Sequence, residues 1–300
     1  MTEHAHAQLD LFRDTRAVML ANDVADALLA TDAARARRVF ADLLREAPRH
    51  PAAIAMQVLI DFVERWQLPA PRASDIARMA GWIAAEIRPA ARQALGSNDV
   101  AFIRPFYRAL ADCAIGLDYD PGHPAGHRAD LCLQCDAFTA AEAASLSIPR
   151  WQVNPDALAW LTTARYRLYG LDAARPSLFA LAWCGPKRCE SVITTLADPA
   201  LDRDWRAFLG ASEWESVGDD TLPAWFPAWT VIEHPAIKVD PIDTDLPSAV
   251  AVRATTMLVR IRELEKQGSS RALLTAREAL RDLNGELFAI YMARRAIGLR

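Results

Sequence analysis

The sequence has little glycine, 12 of its 300 residues, whereas 58 residues are alanine. Because alanine is the best helix former and glycine is among the worst, this composition favours helices. It argues against a β-sandwich or barrel, which would need many glycine-rich turns and β-branched runs. The apolar fraction of 52% also argues against a disordered chain. We therefore predict an all-α fold.

Lysine is scarce as well: the chain has three lysines and 31 arginines, a bias that we attribute to genomic base composition. The net charge of -4 gives no general attraction for nucleic acid. The first residues lack the basic and apolar regions of a signal peptide, and no apolar run is long enough to span a membrane. The odd number of cysteines, five, then indicates reduced thiols and a cytoplasmic protein.

Several motifs that carry catalysis are missing from the sequence. It contains no Walker loop, no glycine-rich dinucleotide fingerprint, no Gly-x-Ser-x-Gly and no His-Glu-x-x-His. These absences favour a binding protein over an enzyme.

The first half of the chain has the apolar spacing of amphipathic helices. In the second helix, for example, Ala36, Val39, Phe40 and Leu43 share one face. We predict helices over about 18–30, 33–47, 54–66, 74–89 and 99–115, where Pro89 kinks or ends the fourth helix.

A faint repeat accompanies these helices. Pro-Arg-His-Pro-Ala-Ala at 48–53 matches Pro-Gly-His-Pro-Ala-Gly at 121–126, 73 residues later. Ala36 and Phe40 precede Pro48 at the same offsets as Ala109 and Cys113 precede Pro121. This pattern resembles the tetratricopeptide (TPR) repeat over roughly residues 18–145, although the first-helix signature of that family is not visible. The resemblance implies stacked helical hairpins, an α-solenoid, and a protein- or peptide-binding role.

A composition break near residue 147 suggests two domains, an N-terminal hairpin array over 1–147 and a tryptophan-rich helical region over 148–300. Seven of the nine tryptophans lie in the second region. We predict helices there over 155–169, 174–183, 186–197 and 199–209, and a long helical hairpin at the C-terminus broken at Gly268. Residues 210–247 look irregular, with at most a small β-hairpin formed by 230–232 and 237–239.

The two ends of the second region differ in charge. Residues 210–247 contain eight acidic residues and one lysine, whereas residues 253–300 contain ten basic and five acidic ones. The acidic stretch could pack against the basic hairpin, or both could be solvated faces.

One set of side chains could bind zinc: His123, His127, Cys132 and Cys135. Thiolate and imidazole are the ligands that zinc prefers. The competing interpretation is a turn histidine, as His50 would be at the related turn, together with core cysteines that pack as small hydrophobes. With zinc bound, the chain would be a metal-dependent enzyme or sensor; otherwise we expect no cofactor.

Two further clusters have simpler structural interpretations. Cys184 and Cys189 flank a helix start that contains Lys187 and Arg188, which would lower a thiol pKa, but structural cysteines are the simpler interpretation. Asp240, Asp243 and Asp245 could bind a cation, but aspartates before a helix usually serve as turn and cap residues.

The sequence favours a helical groove in which arginines bind carboxylates and aromatic side chains anchor a protein or peptide partner. We expect neither a nucleic-acid nor a membrane partner. Two of the candidate contacts, Trp225 and Trp229, could instead be core residues. The whole chain could instead be a structural subunit of a homodimer, with the last hairpin as the interface. The candidate contact residues are Arg35, Arg38, Arg104, Arg108, Trp225 and Trp229.

Overall fold

A computed structural model describes residues 3–211, 221–237, 239, 249–268 and 270–298 of the chain, without the side chains of residues 3–15, 249, 270 and 297–298. The residues it describes form helices and turns and no strand, so the all-α prediction is confirmed. The chain divides into two compact units, Met1–Ala137 (unit 1) and Phe138–Arg300 (unit 2). The predicted boundary at residue 147 lies inside unit 2.

The described part of unit 1 contains helices of very different length. They are α1 (Glu3–Leu29), α2 (Ala33–Glu46), α3 (Ala53–Arg65), α4 (Ala73–Trp82), α5 (Arg88–Leu95), α6 (Asp99–Cys113) and α7 (Arg128–Gln134).

Neighbouring helices of unit 1 pack on one another: α1 on α2, α2 on α3, α3 on α5, α5 on α6, and α6 on α7. Their shared core contains an aromatic cluster centred on Phe62, whose ring lies edge-on to Phe106 and Trp82 at centroid distances of 4.7 and 5.1 Å. The apolar face predicted for α2 is buried at Ala36, Phe40 and Leu43. Apart from α4, which packs mainly on the turn at 124–126, the described helices of unit 1 therefore pack on helices close to them in the chain.

Pro89 does not end the predicted fourth helix. Ile83–Ile87 forms a π-helical turn, in which the N–H of Arg88 donates to the carbonyl of Ile83, and α5 continues from there. Proline has no N–H and clashes with the carbonyl four residues before it, so a wider turn just before Pro89 lets the helix go on.

The turn at 121–126 ends in a close backbone contact. A Cβ added to Gly126 would lie 2.2 Å from the carbonyl oxygen of Ala73. Glycine is therefore required for the turn Pro124–Gly126 to lie against the start of α4.

The described part of unit 2 is also helical. Its helices are α8 (Phe138–Leu146), α9 (Pro155–Tyr169), α10 (Leu171–Cys184), α11 (Pro186–Leu196), α12 (Pro199–Leu209), α13 (Phe226–Glu233), α14 (Ala249–Gln267), α15 (Ser270–Leu283) and α16 (Gly285–Gly298).

The core of unit 2 is rich in aromatic side chains. Phe226 at the start of α13 contacts Trp205, Phe208 and Phe179 at centroid distances of 5.2, 5.5 and 6.2 Å. Its ring also stacks on Trp229. All residues from Phe226 to Ile232 are buried, so α13 is the central helix of this core.

Two predictions for unit 2 are wrong. Residues 230–232 belong to α13 and not to a β-hairpin, because burial on all sides outweighs the weak β preference of three residues. The predicted last helix is divided at Asn284, whose side-chain oxygen accepts a hydrogen bond from the N–H of Leu287 at 2.8 Å and so caps α16. Over the described residues between 249 and 298 the chain therefore forms three helices, whereas a hairpin would have two.

Candidate functional site

A cavity of about 540 Å³ opens in unit 2 beside the C-terminal end of α13. Its walls come from α13, the turn that follows it, α14 and α16. The lining residues are Val231, Ile232, Glu233, Pro235, Leu258, Arg262, Glu265, Tyr291, Arg294 and Arg295.

Helical spacing explains how these side chains meet. Leu258, Arg262 and Glu265 occur at i, i+4 and i+7 on α14, and they therefore share one face of that helix. Tyr291 and the pair Arg294 and Arg295 do the same on α16 at i, i+3 and i+4. In each helix a buried residue precedes the charged ones along the shared face.

Glu265 is the centre of a hydrogen-bonded network in the wall. Its Oε1 accepts hydrogen bonds from Nη2 of Arg277 at 2.9 Å and from the hydroxyl of Tyr291, and it forms an ion pair with Arg295. Nε of Arg277 also donates to the Tyr291 hydroxyl oxygen, at 2.9 Å. Burial, and then the hydrogen bond to Glu265, raises the pKa of Tyr291 above its ordinary value of 10.0. The phenol therefore stays protonated at neutral pH and can donate to the carboxylate.

The second carboxylate of the lining is also paired. Nη2 of Arg294 lies 3.1 Å from Oε2 of Glu233, the last residue of α13. This ion pair joins a described acidic residue of the 210–247 stretch to a basic C-terminal helix, and the other acidic residues of that stretch lie outside the described residues.

Arg262 has a different environment from the other two arginines of the lining. Its Nη1 donates to the carbonyl oxygen of Ile237 at 3.2 Å, and among the described residues no carboxylate lies within ion-pair distance of it. Burial lowers the pKa of Arg262, while Glu265 and Glu263 oppose this shift. A guanidinium remains charged at any physiological pH, so a partly desolvated cation borders the cavity.

The lining can bind a ligand that is both anionic and apolar. Its described residues carry three guanidinium groups and two carboxylates, and Arg277 shares Glu265 with Arg295, so guanidinium groups outnumber carboxylates by two in this described cluster. Beside them Val231, Ile232 and Leu258, exposed by 1, 6 and 1%, form an apolar wall. The described lining includes no serine, cysteine, histidine or aspartate, and both glutamates are in ion pairs. Guanidinium groups beside apolar side chains suit the binding of an anionic ligand.

The four arginines predicted as partner contacts all lie in unit 1. Arg35 and Arg38 are exposed on α2, and Arg104 and Arg108 are exposed on α6. Arg104 is paired with Asp136. The structure therefore leaves these side chains accessible, and their role in binding stays a prediction.

Trp225 and Trp229, the other two predicted contacts, are exposed by 7 and 6%. Both belong to the aromatic core of unit 2. Their indole rings cannot reach a partner from there, so the structure corrects the anchor interpretation and favours the core interpretation that the sequence also allowed.

The cysteines of the predicted zinc set are core residues. Cys132 lies on α7 and Cys135 follows it as the C-cap, with exposures of 3 and 1%. Burial, and then the neighbouring Cys135, raises the pKa of Cys132 to about 11. Both findings favour small packed thiols over the thiolates that zinc binds.

The two histidines of that set have local partners. Nδ1 of His123 lies 2.9 Å from Oδ2 of Asp120, and Nδ1 of the buried His127 accepts a hydrogen bond from the N–H of Ala129 at 3.2 Å. His50, the counterpart of His123 in the repeat, instead accepts a hydrogen bond from the N–H of Ala52 at 3.3 Å. Among the described residues no group of three or more potential ligands is placed to hold a metal ion.

Two predicted clusters remain, the cysteines at 184 and 189 and the aspartates at 240, 243 and 245. Burial raises the pKa of Cys184 to about 11 and also raises that of Cys189, opposite to the effect expected of Lys187 and Arg188. The aspartates at 240, 243 and 245 lie outside the described residues.

Sequence reasoning missed the cavity residues Arg262, Tyr291, Arg294 and Arg295. A signal was present, because Arg262 stands four residues after the apolar Leu258 and so shares a helical face with it. The sequence could not show that α13 places Glu233 in the lining of the same cavity.

Among the described residues no helix combines the length and the apolarity needed to cross a membrane. Comparison of the chain with protein-family models, with curated proteins and with solved structures found no match.

Proposed function

We propose that this chain is a binding protein without catalytic activity, which holds an acidic group of a polypeptide partner in the cavity of unit 2. The observation that carries the proposal is Arg262, a partly buried guanidinium without a carboxylate partner among the described residues, next to an apolar wall. A partner carboxylate would supply the missing charge, and charge-assisted hydrogen bonds to arginine are among the strongest in proteins.

Unit 1 contributes a second surface to this proposal. Its paired helices suit the hairpin array implied by the TPR resemblance, and the exposed Arg35, Arg38 and Arg108 suit further contacts with an acidic partner. The free state of all five cysteines suits a cytoplasmic setting. The zinc and homodimer alternatives stay predictions.

The test uses the full chain and labelled peptide pools that contain Asp or Glu beside Leu, Ile or Phe, with pools of reversed charge for comparison. We expect the acidic pools to bind and the Arg262→Gln variant to bind them about tenfold or more weakly, since one charge-assisted hydrogen bond is lost.

Arg281→Gln is the matched control, because Arg281 lies on α15 with a largely exposed side chain and does not line the cavity. Equal binding of acidic and basic pools, or binding that Arg262→Gln leaves unchanged, would contradict the proposal.

A further inference from the structure

We draw no further inference here: the strongest candidate, the groove of unit 1 between α1 and the turn at 47–51 with the exposed Val18 at its edge, is lined largely by apolar side chains, and nothing in the described part of the structure shows what covers it.

Discussion

The two units use the same pair of residue types, arginine and carboxylate, in different ways. In unit 1 Arg37 on α2 lies between Asp61 and Glu64 on α3, at 2.6 and 2.5 Å, with side chains 34–38% exposed. In unit 2 Glu265 on α14 receives Arg277, Tyr291 and Arg295 at the wall of a cavity, and its side chain is 22% exposed. Exposed pairs contribute little to stability, whereas partly desolvated ones fix the shape of a site.

The two units also differ in the balance between arginines and carboxylates in these groups. In unit 1 Arg37 has two carboxylates for one cation, so that group is saturated. At the cavity of unit 2 Arg277 and Arg295 share Glu265, and among the described residues Arg262 has no carboxylate within ion-pair distance. Under the proposed function, recognition would depend on such a cation and not on how many arginines a unit contains.

The largest effect we expect tests whether the two aromatic cores act separately. Phe226→Ala and Phe62→Ala should each lower the free energy of unfolding by about 3–5 kcal/mol, because each ring is nearly fully buried among other aromatic rings. Only Phe226→Ala should also weaken peptide binding, since α13 forms one wall of the cavity. Urea denaturation measures the free energy of unfolding, and fluorescence anisotropy under folding conditions measures peptide binding. An equal loss of binding in the two variants would contradict the prediction that only the core of unit 2 supports the cavity.

A smaller effect compares the two charged networks. Glu265→Gln should cost about 1–2 kcal/mol, because Arg277 and Arg295 lose their shared carboxylate in a partly buried place. Arg37→Gln should cost about 0.2–1 kcal/mol, and this cost should shrink in high salt. Urea denaturation at low and high salt compares the two losses of stability. An Arg37→Gln variant that is as destabilised as the Glu265→Gln variant would contradict the prediction.

The smallest effect concerns helix caps. Asp198 in unit 2 accepts hydrogen bonds from the N–H groups of Ala200 and Leu201, both at 2.9 Å, and from Tyr166. Asp32 in unit 1 accepts one, from the N–H of Arg35. We expect Asp198→Ala to cost about 1–2 kcal/mol and Asp32→Ala about 0.5–1 kcal/mol at pH 7, measured by urea denaturation.

The Asp198 effect should depend on pH. The hydrogen bond from Leu201, helped by those from Tyr166 and Ala200, lowers the pKa of Asp198 below its ordinary value of 3.8. A lowered pKa in the folded state stabilises the protein above the unfolded-state pKa, and this contribution is lost as the pH falls through the folded-state value. The cost of Asp198→Ala should therefore shrink below about pH 4. A cost that stays constant down to pH 2 would contradict this reading of the cap.

Local signals in the sequence predicted the helices with strong caps. Asn154 caps α9, whose bounds Pro155–Tyr169 agree with the prediction, and Gly170 stops it with φ of 84°. The prediction for α12, 199–209, also agrees with the structure. These boundaries depend on side chains a few residues apart, which is why the sequence suffices for them.

The sequence was insufficient where packing between distant parts of the chain decides the secondary structure or the burial of a residue. Thr230, Val231 and Ile232 are β-branched residues, and they become helical because α13 is buried among other helices. Trp225 and Trp229 had two open interpretations, and only the packing of α13 places them in the core. The His–Cys set also had two open interpretations, a zinc site and core cysteines with a turn histidine; in the structure each side chain has a local or core role, and zinc binding stays a prediction.

By itself, the sequence determined that this protein is all-α, because alanine abundance, helical spacing and capping residues act over a few residues each. It also indicated that arginine would be the residue for binding carboxylates. Only the tertiary structure decided which arginine lines a cavity with no carboxylate partner among the described residues. Glu233, Arg262 and Tyr291 come from three separate helices, and which charges remain unpaired depends on packing between residues far apart in the chain.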